Sequence, residues 1–141
     1  MSIINNKGID ISNLVPRRQT VIYITGPRRA STGYEVVQNI RRAEALALKL
    51  WKAGFTVICS HKNTALMDGA CDSYVWLEGG LELLRRCDAV VVLPDWESSS
   101  DSCWEVAEAR DCGIPVFKNY KELYEIVMVN QKRKERGGRR A

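Results

Sequence analysis

Two stretches of this sequence concentrate residue types that do chemistry. The first, Pro94-Asp95-Trp96-Glu97-Ser98-Ser99-Ser100-Asp101-Ser102-Cys103-Trp104-Glu105, follows an apolar run and leads into a helical pattern. Ser98, Ser99 and Ser100 offer hydroxyls beside the free N–H groups of a helix start, a setting that suits an anion such as phosphate. Glu105 would sit in the first turn, where a carboxylate can act as nucleophile or base. The same residues also form a purely structural pattern, because Ser102-x-x-Glu105 is a capping box and Asp101 an alternative cap. Local pattern by itself favours capping.

The second stretch is Thr25-Gly26-Pro27-Arg28-Arg29-Ala30-Ser31-Thr32-Gly33. Its glycines let backbone approach a ligand, and Arg28 and Arg29 supply charge suited to a phosphate. The spacing fits neither a Walker loop nor a dinucleotide fingerprint. Taken alone it is an exposed turn. The five cysteines (Cys59, Cys71, Cys87, Cys103, Cys112) and one histidine include no C-x-x-C pair, so neither a disulfide framework nor a zinc site is expected and all five thiols read as structural.

Elements that could position these stretches follow from periodicity. Four short apolar runs, Val21 to Thr25, Phe55 to Cys59, Ala89 to Leu93 and Pro115 to Phe117, read as buried strands of a parallel sheet. Helical patterns separate them. One, about Glu35 to Ala53, ends before Gly54, where a glycine cap belongs; others run about Tyr74 to Arg86, Ser102 to Gly113 and Lys121 to Gln131. The β-α alternation predicts right-handed crossovers and an α/β, Rossmann-like or flavodoxin-like three-layer sandwich with a mostly parallel sheet of four or five strands. In such a sheet ligands collect beyond the C-terminal ends of the strands, which is where both chemical stretches lie. The segment from Ser60 to Ser73 is expected as a long loop on that edge.

At 141 residues, with 45% hydrophobic and 27% charged, the chain is one globular domain rather than a disordered or membrane-spanning one. Residues 1–19 show no periodicity and read as an arm, residues 20–131 as the domain, and residues 132–141 as a basic disordered tail. The net charge of +4 belongs to that tail, whose six basic residues face a single glutamate. Such a block could hold nucleic acid through phosphates, but without interleaved aromatics a solvated end is favoured. The N-terminus lacks the layout of a secretion signal, so a cytoplasmic location is the expectation.

Tyr23-Ile24-Thr25-Gly26-Pro27, Asn39-x-x-Arg42-Ala43, Gly54-Phe55-x-Val57, Cys87-Asp88-Ala89-Val90-Val91, Trp96-x-x-Ser99-x-x-x-x-x-Glu105 and Ala109-x-x-x-Gly113-x-Pro115-Val116, in this order, resemble the nucleoside 2-deoxyribosyltransferase-like superfamily. Within it the chain looks like the small, often phage-encoded DUF4406-type proteins. The resemblance implies cleavage of the bond between a base and a 2-deoxyribose, with transfer of the sugar to another base or to water. It implies that Glu105 attacks the anomeric carbon, that Tyr23 orients that carboxylate, and that no metal or organic cofactor is needed. Ser99 falls where relatives acting on deoxynucleoside 5′-monophosphates carry serine, so with Ser98, Ser100, Arg28 and Arg29 it favours a phosphorylated substrate. Trp96, Trp76 or Tyr34 could stack on the base.

Two positions depart from the superfamily pattern. Gly80 stands where an aspartate usually helps the leaving base take a proton. Glu78 and Glu82, each turned about 200° from Gly80 along a helix, are expected on another face, which leaves Asp95 as the preferred substitute. Asp101 stands where glycine is typical and brings negative charge to the anion loop. These departures motivate an alternative, a non-catalytic protein that binds a nucleotide to sense or sequester it. The resemblance also implies a homo-oligomer.

Overall fold

Along Val21–Thr25 successive side chains point to opposite sides of a sheet, and that alternation organises the molecule. Ile22 and Ile24, with Ala89 and Val91, join one buried cluster, whereas Tyr23, with Val90 and Val92, joins another. The computed structural model describes residues 4–139. Its strands are β1 (Val21–Thr25), β2 (Thr56–Cys59), β3 (Ala89–Val92) and β4 (Val116–Phe117), in the order β2-β1-β3-β4 with every neighbouring pair parallel. The helices are α1 (Gly33–Lys52), a short α2 (Ser60–Asn63), α3 (Ser73–Arg85), α4 (Ser100–Asp111) and α5 (Tyr120–Arg139).

Ala43, Ala47 and Leu50 of α1 and Leu123 and Val127 of α5 cover the face bearing Ile22 and Ile24. Leu84 of α3 and Val106 and Ala109 of α4 cover the face bearing Tyr23. The result is the expected Rossmann-like α/β sandwich, with four strands. Burial on both faces explains why the strands read as near-continuous apolar runs rather than alternating ones.

Caps account for the shifted helix starts. Thr32 accepts a hydrogen bond from the Glu35 N–H at 3.2 Å, so α1 begins before Glu35. Gly54, just beyond α1, has φ +109°, a conformation that costs glycine little. At α4 the cap is Ser99, which accepts from the Ser102 N–H at 3.2 Å. That corrects the expected Ser102–Glu105 capping box. The Ser102 hydroxyl instead meets Thr25 Oγ1 at 3.0 Å in a buried contact, and Glu105 falls in the second turn, turned toward the sheet.

Both chain ends depart from expectation. Ile11, Leu14 and Val15 of the arm are buried, and Asn130 of α5 donates from Nδ2 to the carbonyls of Ile11 (2.7 Å) and Leu14 (3.0 Å). The arm has no helical or strand period because its apolar side chains fill a gap beside α5 rather than a regular face. α5 continues to Arg139, through most of the segment expected to be disordered, because Gln131 to Glu135 are residues that favour a helix. Residues 1–3 and 140–141 lie outside the described residues. Of the thiols, Cys87 is buried, Cys59 half-buried, and Cys71, Cys103 and Cys112 are exposed, so a structural role by burial does not extend to those three.

From β1 the chain moves outward to β2 and later returns to β3 on the other side of β1. The strand order therefore reverses between β1 and β3. The loops leaving their C-terminal ends diverge there and open a crevice.

Candidate active site

Tyr23 is the third residue of β1, facing α3 and α4, and is fully buried. Glu105 projects from the second turn of α4 onto the same region and is 7% exposed. The Tyr23 hydroxyl and Glu105 Oε2 are both buried without a hydrogen-bond partner, which is costly unless a ligand uses them. They stand close enough to shift each other. Burial pushes Glu105 up to about 7, opposed by the Thr25 and Tyr23 hydroxyls and reinforced by the Asp101 carboxylate. Tyr23 is driven far above the ordinary phenol range by burial and by the negative charge of Glu105, so it stays a neutral donor.

These two groups line a cavity of about 730 Å³, the size of a small-ligand site. Its walls come from the loop after β1 (Gly26, Pro27, Arg28, Arg29), the approach to α4 and its first turn (Ser98, Ser99, Ser100, Asp101, Ser102) and a broad arc of α3. Gly26 permits this closeness for a packing reason, since a Cβ there would lie 2.5 Å from Leu93 Cβ. The resemblance motif Asn39-x-x-Arg42 holds the same loop: Asn39 Nδ2 donates to the Arg28 carbonyl at 3.1 Å, and Arg42 donates to Asn39 Oδ1.

Of the expected site residues, Asp95 and Trp96 do not line this cavity. Asp95 is exposed, with φ 63°, at the turn before a short 3-10 segment (Trp96–Ser98), where aspartate tolerates the left-handed conformation better than most residues. Trp96 packs against the buried cluster around Tyr23. Of the other aromatic candidates, Trp76 lines the cavity, whereas Tyr34 is exposed and does not. Gly80 lies where an added Cβ would be 3.2 Å from the Tyr23 hydroxyl, so its position does face the reacting region. Glu82 also lines the cavity, contrary to the expectation that it faces elsewhere. The opening extends along α3 as far as Arg86 and so spans more than one helical stripe.

Both arginines of the β1 loop are already partnered. Arg28 pairs with Asp68 at 2.9 Å and Arg29 with Asp101 at 3.3 Å. His61, which sequence reasoning missed, is 2% exposed and lines the cavity; its Nε2 lies 3.0 Å from the Pro27 carbonyl and its Nδ1 is buried without a partner. Burial holds its pKa below the usual histidine value, so the ring is neutral, Nε2 carries the proton toward Pro27, and Nδ1 is a free acceptor. The available signal was its place immediately after β2, on the ligand edge of the sheet. Among the described residues no three His, Cys, Asp or Glu side chains are grouped to hold a metal ion, and no helix is long and apolar enough to cross a membrane.

Residues 20–118 match a protein family described as a domain of unknown function (DUF4406). The chain belongs to the DUF4406 family. In this DUF4406 protein the match spans the sheet, α1 to α4 and every cavity residue named above, and it ends before α5. No curated protein matches the chain. Among solved structures, a 2-deoxyribosyltransferase from the psychrotolerant bacterium Bacillus psychrosaccharolyticus, described as a biocatalyst for nucleoside synthesis, is similar with a TM-score of 0.51 and 20% identity, over 69% of each chain. That likeness concerns the fold.

Proposed function

We propose that this DUF4406 protein cleaves the N-glycosidic bond of a 2′-deoxynucleoside or its 5′-monophosphate, with Glu105 as nucleophile. The observation that carries this is the buried, unpartnered Glu105 Oε2 beside the Tyr23 hydroxyl at the wall of a cavity of about 730 Å³. The ionised carboxylate attacks the anomeric carbon as the carbon–nitrogen bond breaks; the bonding electrons leave with the base, which takes up a proton. A covalent glycosyl-enzyme results. Water, or the nitrogen of a second base, then attacks the same carbon and releases the carboxylate. In the reacting complex the neighbouring Tyr23 hydroxyl is placed to turn and donate to Glu105, holding its lone pairs in line, while Trp76 offers a stacking surface for the base. Asp95 does not line the cavity and Glu82 is the charged partner of Arg85 and Arg86 at 3.7 Å each, so the leaving base takes its proton from water. The similar fold of a 2-deoxyribosyltransferase supports this chemistry.

The test follows free base by chromatography after incubation with deoxynucleosides and their 5′-monophosphates, with and without an acceptor base. Glu105→Gln should lower base release at least 10³-fold while the circular dichroism spectrum is unchanged; retained release removes Glu105 from the role. Gly80 favours a second reading, a protein that binds a nucleotide without cleaving it, because the α3 position whose Cβ would lie 3.2 Å from the Tyr23 hydroxyl carries no carboxylate to protonate a leaving base. Tight binding of an uncleaved nucleotide by the unsubstituted protein would support that alternative.

A further inference from the structure

The charges around the cavity bear on which end group the sugar carries. Three arginines line it (Arg28, Arg29, Arg86) against three carboxylates (Glu82, Asp101, Glu105). Arg28 is further neutralised by Asp68 at 2.9 Å, and Arg86 lies 3.7 Å from Glu82. Arg29 lies 3.3 Å from Asp101. No surplus positive charge remains for a phosphate monoester, which carries about −1.5 to −2 at neutral pH. The start of α4 would ordinarily attract such an anion, but Asp101, in the first turn, places a carboxylate there, and the Ser102 N–H is already taken by Ser99 Oγ. Asp101 is also near enough to push Glu105 up, so a phosphate beside Asp101 would add repulsion at the reacting carboxylate as well.

We propose that the Asp101–Arg29 pair makes this cavity select an uncharged 5′-hydroxyl over a 5′-phosphate, so that the substrate is a nucleoside rather than a nucleotide. A hydroxyl can donate to the Asp101 carboxylate and accept from the Arg29 guanidinium, satisfying both without a net charge. A phosphate can only accept, and it would have to displace Asp101 from Arg29 while meeting a like charge. The assignment rests on the glycoside chemistry proposed above. It reverses the preference for a phosphorylated substrate that Ser99 and its neighbouring serines suggest in sequence.

The experiment is calorimetric titration of Glu105→Gln, in which turnover is blocked, with each of the common 2′-deoxynucleosides and with its own 5′-monophosphate. The nucleoside is expected to bind at least tenfold more tightly than the matching monophosphate. Asp101→Asn in the same background, which keeps the shape and removes the charge, should shrink or invert that ratio by at least tenfold; Asp101→Ser serves if the asparagine variant is misfolded. Tighter binding of the monophosphate, or a ratio unmoved by either substitution, overturns the assignment. If monophosphates win and the unsubstituted protein still releases base from them, only the role of Asp101 fails. Binding of neither ligand class, with no base release, overturns the glycoside chemistry and this assignment together.

Discussion

A carboxylate pushed up to about 7 is half protonated at neutral pH, and that has consequences at the scale of one residue for both activity and stability. Nucleophilic attack needs the ionised form, so base release should rise with pH through about 7 and level off above it. Stability moves the other way. Glu105 in the folded protein holds its proton to about 7 whereas its ordinary value is 4.5, so between these limits the folded state binds more protons than the unfolded chain. The stability this group contributes is complete below 4.5 and is lost as pH rises through about 7. Glu105→Gln cannot lose it. The variant should match the parent near pH 4.5 and exceed it by about 3 kcal/mol at pH 8, read from urea unfolding at the two pH values. An equal difference at both would mean that Glu105 is not buried in this way.

At the scale of elements, α3 carries two adjacent glycines that differ in what a side chain would meet. Gly79 is exposed in mid-helix with open space around its position, so Gly79→Ala should stabilise the protein by about 0.5–1 kcal/mol in chemical denaturation. The same change at Gly80 should stabilise less, because its Cβ would press on the Tyr23 hydroxyl at 3.2 Å. A pattern of apolar spacing in α3 predicts the helix but does not distinguish these positions. The start of α4 teaches the same lesson. Ser99, Asp101 and Ser102 all have capping chemistry, and what selects Ser99 is the buried contact between Ser102 and Thr25 on the neighbouring strand. That contact releases Glu105 from the cap and turns it into the cavity.

At the scale of the whole molecule, the arm and α5 close the face of the sheet opposite the site. Asn130 fastens them through two buried hydrogen bonds to the Ile11 and Leu14 carbonyls. Asn130→Ala would leave both carbonyls without that donor. It should cost about 2–4 kcal/mol in unfolding free energy and speed proteolysis in residues 4–19. A loss within 0.5 kcal/mol, about the size of an ordinary surface effect, would mean that the arm is not held this way. The site itself is remote from this clamp, so base release per folded molecule should be unchanged.

The parallel sheet and its helices were legible in the sequence because strands such as Val21–Thr25 and Ala89–Val92 are buried on both faces, and burial of that kind demands short continuous apolar runs between amphipathic helices. Local chemistry likewise marked the loops after β1 and β3 as the ligand edge. Pairing across the fold could not be read from local pattern. Spacing along the chain carries no information on whether Arg29 meets solvent, a phosphate or Asp101, which lies seventy-two positions away, or on whether His61 turns toward Pro27. Such partners share no period or motif; they are chosen when the strands take their places in the order β2-β1-β3-β4 and bring the loops together. The fold class thus follows from burial, which each segment records in its own residues, while the charge balance of the cavity is settled by contacts between segments, which no single segment records.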